Sequence, residues 1–174
     1  VMDTGTRRGL VDSAYNERRR ECEKAAQFFG VKALRDVSRD DFAAKGAGLD
    51  EVTRRRARHV VTENHRTQRA AAAMKAGQAE LLGELIDQSH ESMRDDFEIS
   101  SAPLDAMVTF ARESAGCFGA RLTGGGFAGC ALALVKDEAA SSFIDDVSQR
   151  YAEATGLTPQ LWLCRASNGA ECLS

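Results

Sequence analysis

Leu122-Thr123-Gly124-Gly125-Gly126-Phe127-Ala128-Gly129-Cys130 places four glycines within six residues, and the apolar run Ala131-Leu132-Ala133-Leu134-Val135 follows. A hairpin turn needs only one or two residues that tolerate positive φ. A denser run lets another group approach the backbone closely, and its N–H groups can form a concave nest for an anion. Gly124, Gly126 and Gly129 also spell G-x-G-x-x-G, and Asp145 and Asp146 stand near the offset of a ribose-binding acid. That fingerprint requires a helix to open directly after the glycines. The later stripe of Ala140, Phe143, Ile144, Val147 and Tyr151, extended backward, puts Lys136 on the apolar face and scatters Leu132, Leu134 and Val135. The phase breaks near Lys136-Asp137. The segment therefore reads as strand, glycine loop, buried strand and then a new helix, which excludes the dinucleotide reading.

Working outward, the hairpin strands are Cys117–Leu122 and Cys130–Val135. They are followed by a helix over Glu138–Ala154, a stop at Gly156 and a strand over Gln160–Cys164. Upstream, Cys22, Ala25, Ala26 and Phe29 stripe a helix running from Asp12 to about Phe29, which Gly30 is placed to end. Val31 to Gly48 is broken, with one turn around Asp40–Ala44. A long polar helix spans Leu49–Ala76 up to Gly77, with Asp50/Arg54 and Glu51/Arg55 at supporting i, i+4 spacing. Leu82, Leu85, Ile86, Ser89 and Met93 mark the next helix. Pro103 opens another through Leu104, Met107, Val108 and Ala111. Val1-Met2-Asp3 reads as the end of a strand. The expected fold is α+β: a small, mainly antiparallel sheet packed with several helices, helix-rich overall.

The 174 residues, 43% hydrophobic, suffice for one domain with a real core, and two prolines with no polar linker suggest no internal boundary. A formal charge of -3 argues against a general nucleic-acid binder. No apolar stretch approaches the ~20 residues that span a bilayer, and Val1-Met2-Asp3-Thr4 has no signal-peptide character. Five cysteines (Cys22, Cys117, Cys130, Cys164, Cys172) contain no C-x-x-C pair, so neither a zinc site nor a disulfide framework is expected. Cys22, Cys130 and Cys164 read as small buried side chains, and the expected location is cytoplasmic.

His90, Glu91, Asp95 and Asp96 lack the make-up of a metal-ligand set. His90 reads as a hydrogen-bonded structural residue, and His59 and His65 as faces of a polar helix. The Arg18-Arg19-Arg20 and Arg54-Arg55-Arg56 runs read as solvated helix faces.

Gly119 to Val135 resembles the third motif of the kinases named for galactose, homoserine, mevalonate and phosphomevalonate. Three further segments narrow the resemblance to the galactokinase family: Ser13-Ala-Tyr-Asn-Glu-Arg-Arg-Arg-Glu-Cys-Glu23, Arg58-His-Val-Val-Thr-Glu-Asn64 and Ser89-His-Glu-Ser-Met-Arg-Asp-Asp-Phe-Glu-Ile-Ser100. Together they cover nearly the whole chain in family order.

The resemblance implies transfer of the ATP γ-phosphate to the anomeric hydroxyl of galactose, with Mg2+. Such chemistry rests on positioning and charge stabilisation. The family's sugar-binding motif, its Gly-Leu-Ser-Ser-Ser phosphate loop, its catalytic Asp and Arg and its magnesium-binding acid are not in this sequence. The resemblance therefore implies a C-terminal portion, with a separate N-terminal kinase domain as its partner. No catalytic or metal-binding residue, no tight cofactor binding and no kinase activity are expected of this chain alone. Tyr15 matches the family tyrosine that hydrogen-bonds the sugar. Thr123, Gly124, Gly125, Gly126, Phe127 and Gly129 match the loop beside the phosphate site, and are expected to shape that neighbourhood rather than grip nucleotide. The family generally has glycine at Ala128; were φ positive there, alanine would cost about 1 kcal/mol or more. A galactokinase-like sensor working through a partner protein, or a kinase for a related acceptor such as N-acetylgalactosamine, is the alternative. No nucleic acid or membrane partner is expected, and a face cut from a cleft would favour self-association.

Overall fold

The computed structural model describes residues 1–7, 12–166 and 169; Cys172 lies outside the described residues. Strands β1 (Met2–Asp3), β2 (Cys117–Leu122), β3 (Cys130–Val135) and β4 (Gln160–Leu161) form one sheet in the order β2-β3-β1-β4, every pair antiparallel. The helices are α1 (Asp12–Phe29), α2 (Arg39–Lys45), α3 (Glu51–Lys75), α4 (Ala79–Asp95), α5 (Ala102–Glu113) and α6 (Ala140–Thr155). The fold is α+β, with the hairpin strands bounded as the periodicity implied.

Glycines at positive φ end three of these helices: Gly30 (+69°), Gly77 (+66°) and Gly156 (+69°). Asp50 caps α3, accepting the Thr53 N–H at 3.0 Å and pairing with Lys24 at 2.8 Å. The expected Asp50/Arg54 and Glu51/Arg55 pairs do not form. Arg54 instead pairs with Glu51, and Arg55 reaches Glu98 at 2.6 Å. A 3-10 turn over Asp137–Ala139 precedes α6, where the sequence phase breaks.

Successive strand residues face opposite sides of the sheet. Met2, Ala120 and Ala131 pack against Met107, Val108 and Ala111 of α5 and Phe143, Val147 and Tyr151 of α6. Tyr151 is fully buried, and its hydroxyl donates to the Thr4 carbonyl at 2.9 Å, which satisfies its polar tip. Gly119 and Arg121 face the other way. Gly83 of α4 lies on Gly119 so closely that a Cβ on Gly83 would stand 2.0 Å from the Phe118 carbonyl oxygen. Arg121 donates to Ser89 Oγ at 2.9 Å, and Ser89 donates to Glu63 at 2.6 Å. A second core joins α1 to α3 through Ala25, Ala26, Leu34, Val37, Ala57 and Val61.

Four further expectations need correction. β4 ends at Leu161 rather than Cys164, because the ladder has no partner strand beyond Trp162 among the described residues; Trp162, Leu163 and Cys164 are exposed. Cys22 and Cys130 are only half-buried. His59 is buried, stacked on Phe97 at 4.6 Å with Nδ1 2.9 Å from Ser92 Oγ. Arg56, 2% exposed, and Arg18 are enclosed among carboxylates and carbonyls rather than solvated. His65 is exposed, and His90 is hydrogen-bonded, its Nδ1 accepting the Leu122 N–H at 3.3 Å.

Candidate functional site

The glycine loop is the connection of the β2–β3 hairpin, and its glycines serve different ends. Thr123 closes the hairpin, donating its N–H to the Cys130 carbonyl at 2.9 Å. Gly124 (+80°), Gly126 (+74°), Phe127 (+66°) and Gly129 (+93°) all take positive φ. Gly126 rests against Ile99, where a Cβ would come 2.3 Å from the carbonyl oxygen. That same carbonyl accepts the Phe127 N–H at 2.6 Å. At the far end, the Gly129 carbonyl takes both the Thr4 N–H at 3.0 Å and the Thr4 hydroxyl at 2.6 Å, which ties the loop to β1. The left-handed residue is thus Phe127 and not Ala128, so alanine at 128 carries no backbone penalty.

These anchors hold the loop across from the first turns of α1. Tyr15, Gly124, Gly125 and Phe127 line one cavity of about 360 Å³, together with Arg18, Cys22, Phe97 and Ile99. Tyr15 is 59% exposed, so its phenol is open to a ligand rather than locked in a core. The N–H groups of Gly124 and Gly125 have no hydrogen-bond partner among the described residues. The cavity therefore offers a phenol that both donates and accepts, two open amides, the guanidiniums of Arg18 and Arg19 at its wall and apolar rings. Its lining contains no carboxylate and no imidazole. Cys22 is a poor nucleophile here, because burial, helped by Glu21, pushes its thiol up to about 11.

Tyr15 and the loop, more than a hundred residues apart in sequence, thus come together. Thr123, Gly126 and Gly129 shape the loop from behind rather than line the cavity. Sequence reasoning missed Arg18, Phe97 and Ile99. The signal for Arg18 was its place one turn after Tyr15; for the other two it was the segment Ser89–Ser100. No group of three metal-ligating side chains occurs among the described residues, and no helix there is long and apolar enough to cross a membrane.

Residues 70–153 match the family described as GHMP kinases C terminal. A galactokinase from Roseiflexus sp. (strain RS-1) is 46% identical to this chain, covering 97% of it and 44% of the relative. The crystal structure of Lactococcus lactis galactokinase complexed with galactose matches with a TM-score of 0.87 at 39% identity, over 91% of this chain and 42% of that one. The chain thus spans less than half the length of either relative. This chain belongs to the galactokinase family, and what it holds is the family's C-terminal GHMP-kinase part.

Proposed function

We propose that residues 1–174 act as a single domain, the C-terminal part of an ATP-dependent galactokinase, and complete a sugar-phosphorylating cleft with an N-terminal domain. The observation that carries this reading is the shared cavity: Tyr15 faces the glycine loop across a space of about 360 Å³. In it the Tyr15 phenol would hydrogen-bond a galactose hydroxyl. The loop would set the wall beside the transferring phosphate, with the Gly124 and Gly125 amides turned to negative charge. Mg2+, when bound, would neutralise phosphate charge on the transferring group. With no carboxylate in the cavity, the acceptor proton would go to a group outside it.

The test replaces the corresponding part of the Lactococcus lactis galactokinase with this chain and assays galactose 1-phosphate formation from galactose and MgATP. The chimera should be active, and this chain alone inactive. Tyr15→Phe in the chimera should raise the galactose KM roughly three- to tenfold, the worth of one hydrogen bond. A folded but inactive chimera, or an unchanged KM in the variant, would refute the reading. N-acetylgalactosamine turned over in preference to galactose would shift it to the related acceptor.

The same reading accounts for an unpaired edge. Beyond Ala131, β3 has no partner on the β1 side among the described residues. There Leu132, Leu134, Val1, Trp162 and Leu163 border an apolar groove of about 280 Å³. Such an edge templates pairing with another strand, and in the chain by itself a second copy would occupy it. Sedimentation should therefore show a concentration-dependent dimer that Leu134→Lys abolishes. A chain that stays monomeric at high concentration would count against it.

A further inference from the structure

The glycine loop is held in place from a distance. Arg56 of α3, 2% exposed, spreads its guanidinium over three acceptors: Nε donates to Glu21 Oε2 at 2.9 Å, Nη1 to the Asp96 carbonyl at 2.6 Å and Nη2 to Glu98 Oε2 at 2.6 Å. Arg18 of α1 grips the next two peptides, Nε to the Phe97 carbonyl at 2.6 Å and Nη2 to the Glu98 carbonyl at 3.3 Å. Glu21 Oε2 is shared by both guanidiniums, with Arg18 Nη1 at 3.1 Å. Two helices thereby fix three consecutive carbonyls, 96 to 98. The fourth, that of Ile99, is the one that accepts the Phe127 N–H and against which Gly126 packs.

The segment needs such a hold. Glu98 sits at φ +53° and Phe127 at +66°, left-handed conformations that a non-glycine residue leaves unless its surroundings over-determine them. The desolvation cost of burying Arg56 is offset because every carboxylate and carbonyl it meets is hydrogen-bonded to it. Arg18 also stands one turn from Tyr15 and lines the cavity itself. The same clamp therefore governs the distance from Tyr15 to the loop.

We infer that Arg56 is a positioning residue for the glycine loop: through Glu21, Arg18 and the strained 96–99 segment, it sets the width of the cavity between Tyr15 and Gly124–Phe127. The inference rests on the reading that this cavity is the sugar-phosphorylating site. Arg56 itself does not line it.

The experiment is backbone amide hydrogen exchange on the full chain, with Arg56→Lys as the first variant. Lysine keeps the charge but is a compact point donor without the planar fork that spans three acceptors. The Phe127 amide should exchange about tenfold faster or more, the loss of one hydrogen bond, while the β2–β3 ladder amides keep their protection. Glu98→Gln, at a partly exposed side chain, should move the same amide in the same direction by less, and serves if Arg56→Lys does not fold. In the active chimera, Arg56→Lys should raise the galactose KM. Unchanged Phe127 exchange, exchange that rises equally throughout the ladder, or an unaltered KM would each overturn the positioning role. An inactive wild-type chimera would overturn the functional reading while leaving the exchange result to stand or fall by itself.

Discussion

Gly83→Ala should destabilise the protein by about 3 kcal/mol or more, the upper range for overpacking a tight contact. The added methyl would lie 2.0 Å from the Phe118 carbonyl oxygen and 2.4 Å from its carbon. Both are backbone atoms within β2, so no rotamer change can clear the space. Gly119 meets the same limit from the other side, where a Cβ would come 2.2 Å from the Gly83 carbonyl oxygen. Two hydrogens at this crossing let α4 lie directly on the strand that leads into the glycine loop. A methyl there forces α4 outward, and with it Ser89, which holds Arg121, and His90, which accepts the Leu122 N–H. Gly77→Ala is the contrast. Its φ of +66° imposes a backbone cost of about 1 kcal/mol, but nothing lies within 4 Å of the new methyl. Urea unfolding should lower the midpoint far more for Gly83→Ala than for Gly77→Ala. Equal midpoints would disprove the packing argument.

Mild acid should destabilise the fold before most carboxylates titrate. His59 and His90 are both buried, and that burial lowers each to about 4, from 6.5. For His90, Arg112 adds to the lowering; for His59, Glu63 opposes it. Geometry agrees at His90, since a proton on Nδ1 would face the Leu122 N–H that this atom accepts at 3.3 Å. In the unfolded chain both rings take a proton near pH 6.5, while in the folded chain they do not until about pH 4. The unfolded state thus binds more protons across that interval. Stability is full above pH 6.5 and falls as pH drops, by up to ~1.4 kcal/mol per pH unit for each ring. Below that window, Glu98, held low chiefly by Arg56, and Asp3, held low chiefly by Arg7, lose their contribution as they protonate. Urea midpoints measured from pH 7.5 down to 4 should show the slope, and His59→Gln should reduce it by about half. A flat profile over that range would contradict the burial of both rings in neutral form.

The sequence by itself determined the local architecture. The phase break at Lys136-Asp137 separated β3 from α6, and Gly30, Gly77 and Gly156 marked helix ends, because periodicity and positive-φ glycines act within a few residues. It also determined the family, since the motif residues stand in order along the chain, whereas the meeting of Tyr15 and the glycine loop in one cavity is read from the folded chain. What only the tertiary structure decided is where long side chains finish. Arg56 and His59 lie in a helix whose composition reads as polar, yet their partners are 33 to 42 residues away, and no spacing rule within one helix reaches that far. The chain likewise does not announce that Phe127 rather than Ala128 takes the left-handed turn. The Ile99 carbonyl decides it, by offering Phe127 an acceptor at 2.6 Å from another element. Burial of a charge or a strained peptide depends on what packs against it, and that is a property of the folded neighbourhood rather than of the segment.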